Sequence, residues 1–163
     1  MNRRLLAVVG VIVALALLSA VAIAANPTLL IAGYDTATVE AVDGETGEPL
    51  ATVEARVADG LAKQYVGLSA TDGLAADEGM LFVHDEPGEY AYVMRDMAFA
   101  LDIVFVAPNG TVTEVHEAAP ESRPYTRYRG TGQFVLEVPR GWSDRNGVEP
   151  GDRLVFELDR YSS

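Results

Sequence analysis

The sequence predicts a mainly β domain, a small antiparallel sandwich of jelly-roll-like type or a squat barrel, with one short helix and an N-terminal transmembrane helix ahead of it. Three observations carry this expectation. Apolar and polar residues alternate in short runs such as Leu50 to Ala58, where Val53, Ala55 and Val57 face one way and Thr52, Glu54 and Arg56 the other. Turn chemistry recurs between such runs, at Asp43 to Pro49, at Asn109-Gly110 and at Glu149 to Asp152. Beyond the N-terminus, helical spacing is confined to Gly60 to Leu68 and to a single turn at Gly141 to Asn146 that ends at Gly147.

The N-terminus sets the expected location. Residues 1–4 are short and basic, and 5–25 follow without a charge, long enough as a helix to cross about 30 Å of hydrocarbon. An uncleaved single-pass anchor is the reading that length favours. A removed secretory signal, with Ala22-Ile23-Ala24 as a small-x-small site, and a twin-arginine signal using Arg3-Arg4 are the alternatives. Under each, Arg3 and Arg4 stay inside and the rest lies outside the cytoplasm, at the cell membrane or secreted if the segment is cleaved. Residues 26–35 are a connector, opened by the helix-ending Asn26-Pro27, and 36–163 form the extracytoplasmic domain.

The formal net charge is -12 and Lys63 is the single lysine. No basic patch forms, which excludes nucleic acid as a partner. Dense carboxylates with arginine in place of lysine resemble the composition of proteins from salt-loving organisms. There is no cysteine, so the core alone must hold the domain together.

In order, strands are expected at Thr36 to Val42, Leu50 to Ala58, Gly79 to His84, Tyr90 to Met97, Leu101 to Ala107, Val112 to Glu117, Gln133 to Val138 and Arg153 to Leu158. The helix, with Asp59 as its cap, should present Leu61, Tyr65 and Leu68 on one face. Asp85 to Glu89 should be a turn and Ala118 to Thr131 a long crossover loop.

The stretch Tyr90 to Val106 carries the chain's least expected polarity: Arg95, Asp96 and Asp102 within an apolar run. A two-residue loop at Asn109-Gly110 would set Ile103 opposite His116 and Asp102 opposite Glu117, with β-carbons about 5 Å apart. Two facing carboxylates need a shared proton, a cation or an arginine, for which Arg95 is the nearest in sequence. A bulge that shifts the register, or fraying of Glu117 into solvent, would dissolve the pair. His84 and His116 lack metal-ligand spacing and read as hydrogen-bonded structural histidines. No nucleophile motif, P-loop or dinucleotide fingerprint is present. Arg123, Arg127 and Arg129 with Tyr125 and Tyr128 suit anionic ligands or sugars, or else pair with nearby acids. Asn109-Gly110-Thr111 is also a glycosylation sequon.

Several segments in order resemble the family known as domain of unknown function 192. They are Lys63 to Leu68, Glu78-Gly-Met-Leu-Phe-Val83, Val93-Met94-Arg95-Asp96-Met97, Leu101-Asp102-Ile103-Val104-Phe105, Val115-His116-Glu117, Phe134-Val-Leu-Glu-Val138, and Gly147-Val148 with Gly151-Asp152. The family typically reads Met-Lys-Asn-Thr where this chain has Met94 to Met97. Many members carry a cysteine pair where this chain has Ala119 and Glu121. The resemblance implies a jelly-roll-like β fold, often exported or anchored, and no activity. It marks Met94, Arg95, Asp102, His116, Glu117 and Tyr128 as matching characteristic positions. These six are the expected binding surface, for a small-molecule or protein partner the sequence leaves unnamed, with no metal and no cofactor expected. A hydrolytic or metal-assisted enzyme using Asp102, Glu117 and His116, and a structural envelope protein, are the alternatives.

Overall fold

The computed structural model describes residues 33–158 together with Leu18. The expected spanning segment, 5–25, and most of the connector lie outside the described residues. Among those residues no helix is long and apolar enough to cross a membrane. Tyr34–Ser163 form one compact unit.

Seven strands form one sheet: β1 (Asp35–Val42), β2 (Pro49–Ala58), β3 (Glu78–Tyr92), β4 (Leu101–Val106), β5 (Val112–Ala118), β6 (Tyr128–Pro139) and β7 (Arg153–Val155). Two short helices accompany them, α1 (Leu61–Val66) and α2 (Trp142–Asn146). The strand order is β5-β4-β6-β3-β2-β1-β7. The sheet curls into a half-barrel, and its ends meet through the Thr111–Arg153 bridge and the bonds between Val112 and the turn at Gly151-Asp152. The mainly β class is as expected, but the sheet is mixed. β2 and β3 run parallel, because the segment holding α1 crosses over between them.

Curling gives the sheet two apolar faces. The inner face collects alternate residues of most strands, among them Val39, Val53, Leu81, Val104, Leu136 and Leu154, and is plugged by Trp142 of α2. The outer face carries Met80, Phe82, Ile103, Phe105 and Val135, covered by Leu68 after α1 and by Met94 in the β3–β4 connection. Both faces of β4 are therefore buried, which is why its sequence, Leu-Asp-Ile-Val-Phe-Val, does not alternate.

Several sequence expectations change. β6 begins at Tyr128, inside the loop expected over 118–131, and β7 ends at Val155, short of Leu158. β3 is one long strand where two strands and a turn were expected at 85–89. Its pairing to β6 slips between Val83 and Gly88, so Asp85-Glu86-Pro87 is an irregularity that accommodates a proline without an N–H. The strand stops at Tyr92, short of Met97, and Asp96 turns the chain with a φ of 56°. Finally, α1 has Gly60 at its N-cap with no side-chain cap, while Asp59 pairs with Lys63 at 3.0 Å. α1 ends at Gly67 after less than two turns, so Leu68 lies beyond it and is buried, whereas Leu61 and Tyr65 are 88% and 62% exposed.

The β4–β5 hairpin keeps the expected register at its far end. Ile103 faces His116 and Asp102 faces Glu117. Nearer the turn, Ala107 bonds Thr111 across Pro108-Asn109-Gly110, and a shift at Phe105/Val106 restores the register. The loop thus has one residue more than expected, and the bulge compensates for it. Gly110 takes a φ of 87°, and an added Cβ would meet the Leu154 carbonyl.

Gly130 marks the tightest contact on the outer face. A Cβ there would lie 2.3 Å from Phe105 Cγ, and Phe105 is fully buried. Gly130→Ala is expected to lower the unfolding free energy by about 2 kcal/mol through overpacking. Urea denaturation measures this, and an unchanged midpoint would refute the contact.

Candidate functional site

The six residues expected to share a surface do not share one. Asp102 and Glu117 oppose each other on the inner-face side of the β4–β5 pair. Met94, His116 and Tyr128 belong to the other face, where Met94 is buried with Ile103 and Phe105. Tyr128 packs against the same cluster and lies 5.9 Å from the His116 ring. Asp102, Glu117 and His116 are therefore separated by the sheet, and the enzyme built on them gains no support from the geometry.

Each carboxylate of the facing pair has its own compensation. Asp102 is buried and accepts the Gly141 N–H at 2.9 Å and the Ser143 N–H at 2.8 Å, tying β4 to the start of α2. Glu117 is half-exposed and binds Arg140, with Nη2 at 2.7 Å and Nε at 2.9 Å. The arginine that compensates Glu117 is Arg140, not Arg95, and it does not bridge to Asp102. His116 bonds the Arg129 carbonyl at 2.7 Å and meets the Phe105 ring edge-on, a structural histidine as read from its spacing. Arg129 pairs with Glu89 at 3.0 Å, and Arg123 stands over the Tyr125 ring. Asn109 is exposed at the hairpin tip, and its side chain accepts the Thr111 N–H.

Arg95 leads to a different place. Its guanidinium lies 4.1 Å from the Tyr65 ring centroid and donates to the Tyr65 carbonyl at 2.6 Å. It stands at the rim of a cleft of about 270 Å³ between α1, the end of β3 and β6. Apolar walls come from Val66, Leu68, Phe82 and Met97, and polar groups from Gln64, His84, Tyr92 and Glu137. The volume lies just below the range of typical ligand pockets, about 300–1,000 Å³, which limits an occupant to a small molecule.

Glu137 distinguishes this cleft from every other polar feature of the domain. Three acids are buried among the described residues: Asp102, Asp152 and Glu137. Asp152 accepts two backbone N–H groups, from Gly44 at 2.9 Å and Glu149 at 2.8 Å, just as Asp102 does. Glu137 is 7% exposed, and among the described residues no group donates a hydrogen bond to its carboxyl. Burial raises its pKa to about 8, so the acid is mostly neutral at pH 7.

The neighbours of Glu137 are themselves ordered. Tyr92 Oη and His84 Nε2 are 3.0 Å apart, and the imidazole stacks on Tyr90 with centroids 3.6 Å apart. Burial first, then the nearby Glu137 charge, then Tyr90, raise the Tyr92 pKa, so the phenol keeps its proton. Burial lowers the His84 pKa against the raising effect of Asp85, favouring the neutral ring. Gln64 holds its amide against the Val83 carbonyl at 2.8 Å. A half-open apolar cleft with a neutral acid, a phenol and an imidazole at its inner end and an arginine at its rim is built to hold a small polar molecule.

Of the cleft's polar groups, only Arg95 was expected at a site; His84 was read as structural. Glu137 sits in the Phe134 to Val138 run, flanked by Leu136 and Val138. A carboxylate between two core residues was the available signal, the same one that drew attention to Asp102.

The model of the family DUF192, described as Uncharacterized ACR, matches residues 41–156. The chain belongs to the DUF192 family. Two solved structures are similar to this DUF192 chain. One, from Sinorhizobium meliloti 1021 and described as a candidate transcription regulator, has 30% identity and a TM-score of 0.70, covering 76% of this chain and 95% of that one. The other, a protein of unknown function from Novosphingobium aromaticivorans DSM 12444, has 27% identity and a TM-score of 0.68, covering 77% and 88%. No curated protein matches the DUF192 chain.

Proposed function

We propose that this DUF192 chain is a membrane-tethered, extracytoplasmic binding domain that takes a small molecule in the Glu137 cleft. One observation carries the binding part: Glu137 is a buried acid with no donor among the described residues, whose other two buried acids each accept two backbone N–H groups. The Glu137 carboxyl opens on the cleft and is desolvated there, so a donor from a ligand in the cleft would offset part of that desolvation. The tether rests on the uncharged stretch 5–25 behind Arg3-Arg4. A net charge of -12 leaves a surface unsuited to nucleic acid, so the regulator description of the Sinorhizobium protein is not carried over.

Native mass spectrometry of the chain extracted from washed membranes tests both parts. The expected result is an intact N-terminus and a retained small mass that is lost in Glu137→Gln. A chain cut near Ala24 and free of the membrane would refute the tether. A retained mass unchanged in Glu137→Gln would refute the cleft.

A further inference from the structure

The proposed binding function leaves the ligand open, and the cleft's charges narrow it. Resting on that reading, we propose that the ligand is a small zwitterion of the amino-acid class, with its ammonium directed to Glu137 and its carboxylate to Arg95. At the buried end, Glu137 offers two oxygens with no donor from the described protein, and Tyr92 adds a phenol oxygen. A group with several N–H donors fits that end better than another acceptor does. Aromatic rings of Phe82 and Tyr92 line the same space and favour a cation. At the rim, Arg95 is about one-third exposed and, among the described residues, is the single cationic side chain lining the cleft. Its Nη2 donates to the Tyr65 carbonyl and its Nε lies 3.9 Å from the exposed Asp96 carboxylate, which fixes the guanidinium; a ligand carboxylate would take the remaining N–H groups and compete with Asp96. Val66, Leu68, Phe82 and Met97 supply an apolar wall for a short hydrocarbon body.

The order of charges matters. A cationic ligand without a carboxylate would meet Arg95 at the rim, and an anionic one would leave Glu137 without a donor partner of full charge. A zwitterion answers both. Ammonium binding favours the ionised form of Glu137, so the proton held by the carboxyl leaves to solvent as the ligand enters. The titratable and charged groups that line the cleft with Glu137 are Tyr92 and His84 from β3, Tyr65 from α1 and Arg95, with Asp96 beside it, from the β3–β4 connection; its register partners, Met80 of β3 and Ile103 of β4, are apolar. Tyr92 keeps its proton and His84 favours the neutral ring, so Glu137 is the group that releases the proton.

Isothermal titration of the full-length chain in detergent at pH 6.5 tests this with three probes: leucine, 3-methylbutylamine and 4-methylpentanoate. Leucine is expected to bind at least tenfold more tightly than either half-molecule. In buffers of different ionisation enthalpy, its binding should release close to one proton. Glu137→Gln should abolish the proton release and weaken leucine and the amine, but not 4-methylpentanoate. Arg95→Gln should weaken leucine and 4-methylpentanoate, but not the amine. Circular dichroism establishes that both variants fold. Equal binding of leucine and one half-molecule would overturn the zwitterion, as would leucine binding without proton release. Both would leave the cleft as a binding site. Binding that is unaffected by both substitutions, or no binding of any probe, also overturns the zwitterion. The native mass measurement then decides whether the cleft reading falls with it.

Discussion

Asp102→Ala is expected to lower the stability of the domain by on the order of 4 kcal/mol, among the largest effects of any single substitution in the chain. Asp102 is 1% exposed and accepts two backbone N–H groups, from Gly141 and Ser143, at 2.9 and 2.8 Å. Alanine leaves both donors without that acceptor, each costing about 1–3 kcal/mol where water is excluded, and it opens a void against Trp142 and Val138. Ser143 Oγ is buried without a partner and is the one nearby side-chain oxygen that could take over a freed N–H, so Asp102→Ala combined with Ser143→Ala should cost more than Asp102→Ala alone. Asp102→Asn should recover little, because its amide N–H₂ would face a backbone donor. Glu117→Gln is the contrast. Its pair with Arg140 is about half exposed on both sides, and its loss should cost less than about 1 kcal/mol. Urea denaturation of these variants measures the differences. Equal midpoints for Asp102→Ala and Glu117→Gln would show that the acid does not hold α2 to β4.

Asp102 also shows how far the residues alone could lead. Its place between Leu101 and Ile103 signalled a function for the side chain, and the hairpin register named Glu117 as its neighbour, as found. The acceptor role was hidden because its donors lie about forty residues on, at the start of a helical turn that was itself expected at Gly141 to Asn146. Alternation located most strands because the half-barrel has a solvated side along β1, β2 and β7. β4, covered on both faces and without alternation, was placed by its apolar run instead, and the reading failed where one long strand absorbs a proline, as in β3. The parallel β2–β3 pair was implied by a helix between two strands, but pairing each strand with its chain neighbour obscured it. The cleft was harder still. Its walls come from α1, the β3–β4 connection and β6, and no sequence distance brings Tyr65, Arg95 and Glu137 together. The exposed face of α1 misled for a related reason: Tyr65 shelters the Arg95 guanidinium, so an apolar ring that looked like core serves the rim.

The second large effect is a pH dependence that one residue should account for. Glu137 has its pKa raised by burial from 4.5 to about 8 in the folded chain. Between those values the folded state holds a proton that the unfolded state has released. Stability from this group is therefore complete below pH 4.5, falls as pH rises, and is lost by about pH 8, with no further change above. At about 1.4 kcal/mol per pKa unit the total is on the order of 5 kcal/mol. His84 acts in the opposite sense. Burial lowers its pKa below 6.5, so its contribution grows as pH rises toward that value. Asp43, lowered by hydrogen bonds from Thr46 and Glu45, matters below about pH 4. The difference between wild type and Glu137→Gln cancels these other groups. Glutamine keeps the shape and cannot ionise, so the variant should be similar in stability to wild type at pH 5 and clearly more stable at pH 8.5. Thermal unfolding across that range gives the difference in Tm directly. Parallel curves would mean that the carboxyl ionises as freely in the fold as in the unfolded chain, and the argument for Glu137 as a desolvated, ligand-seeking acid would fail at its source.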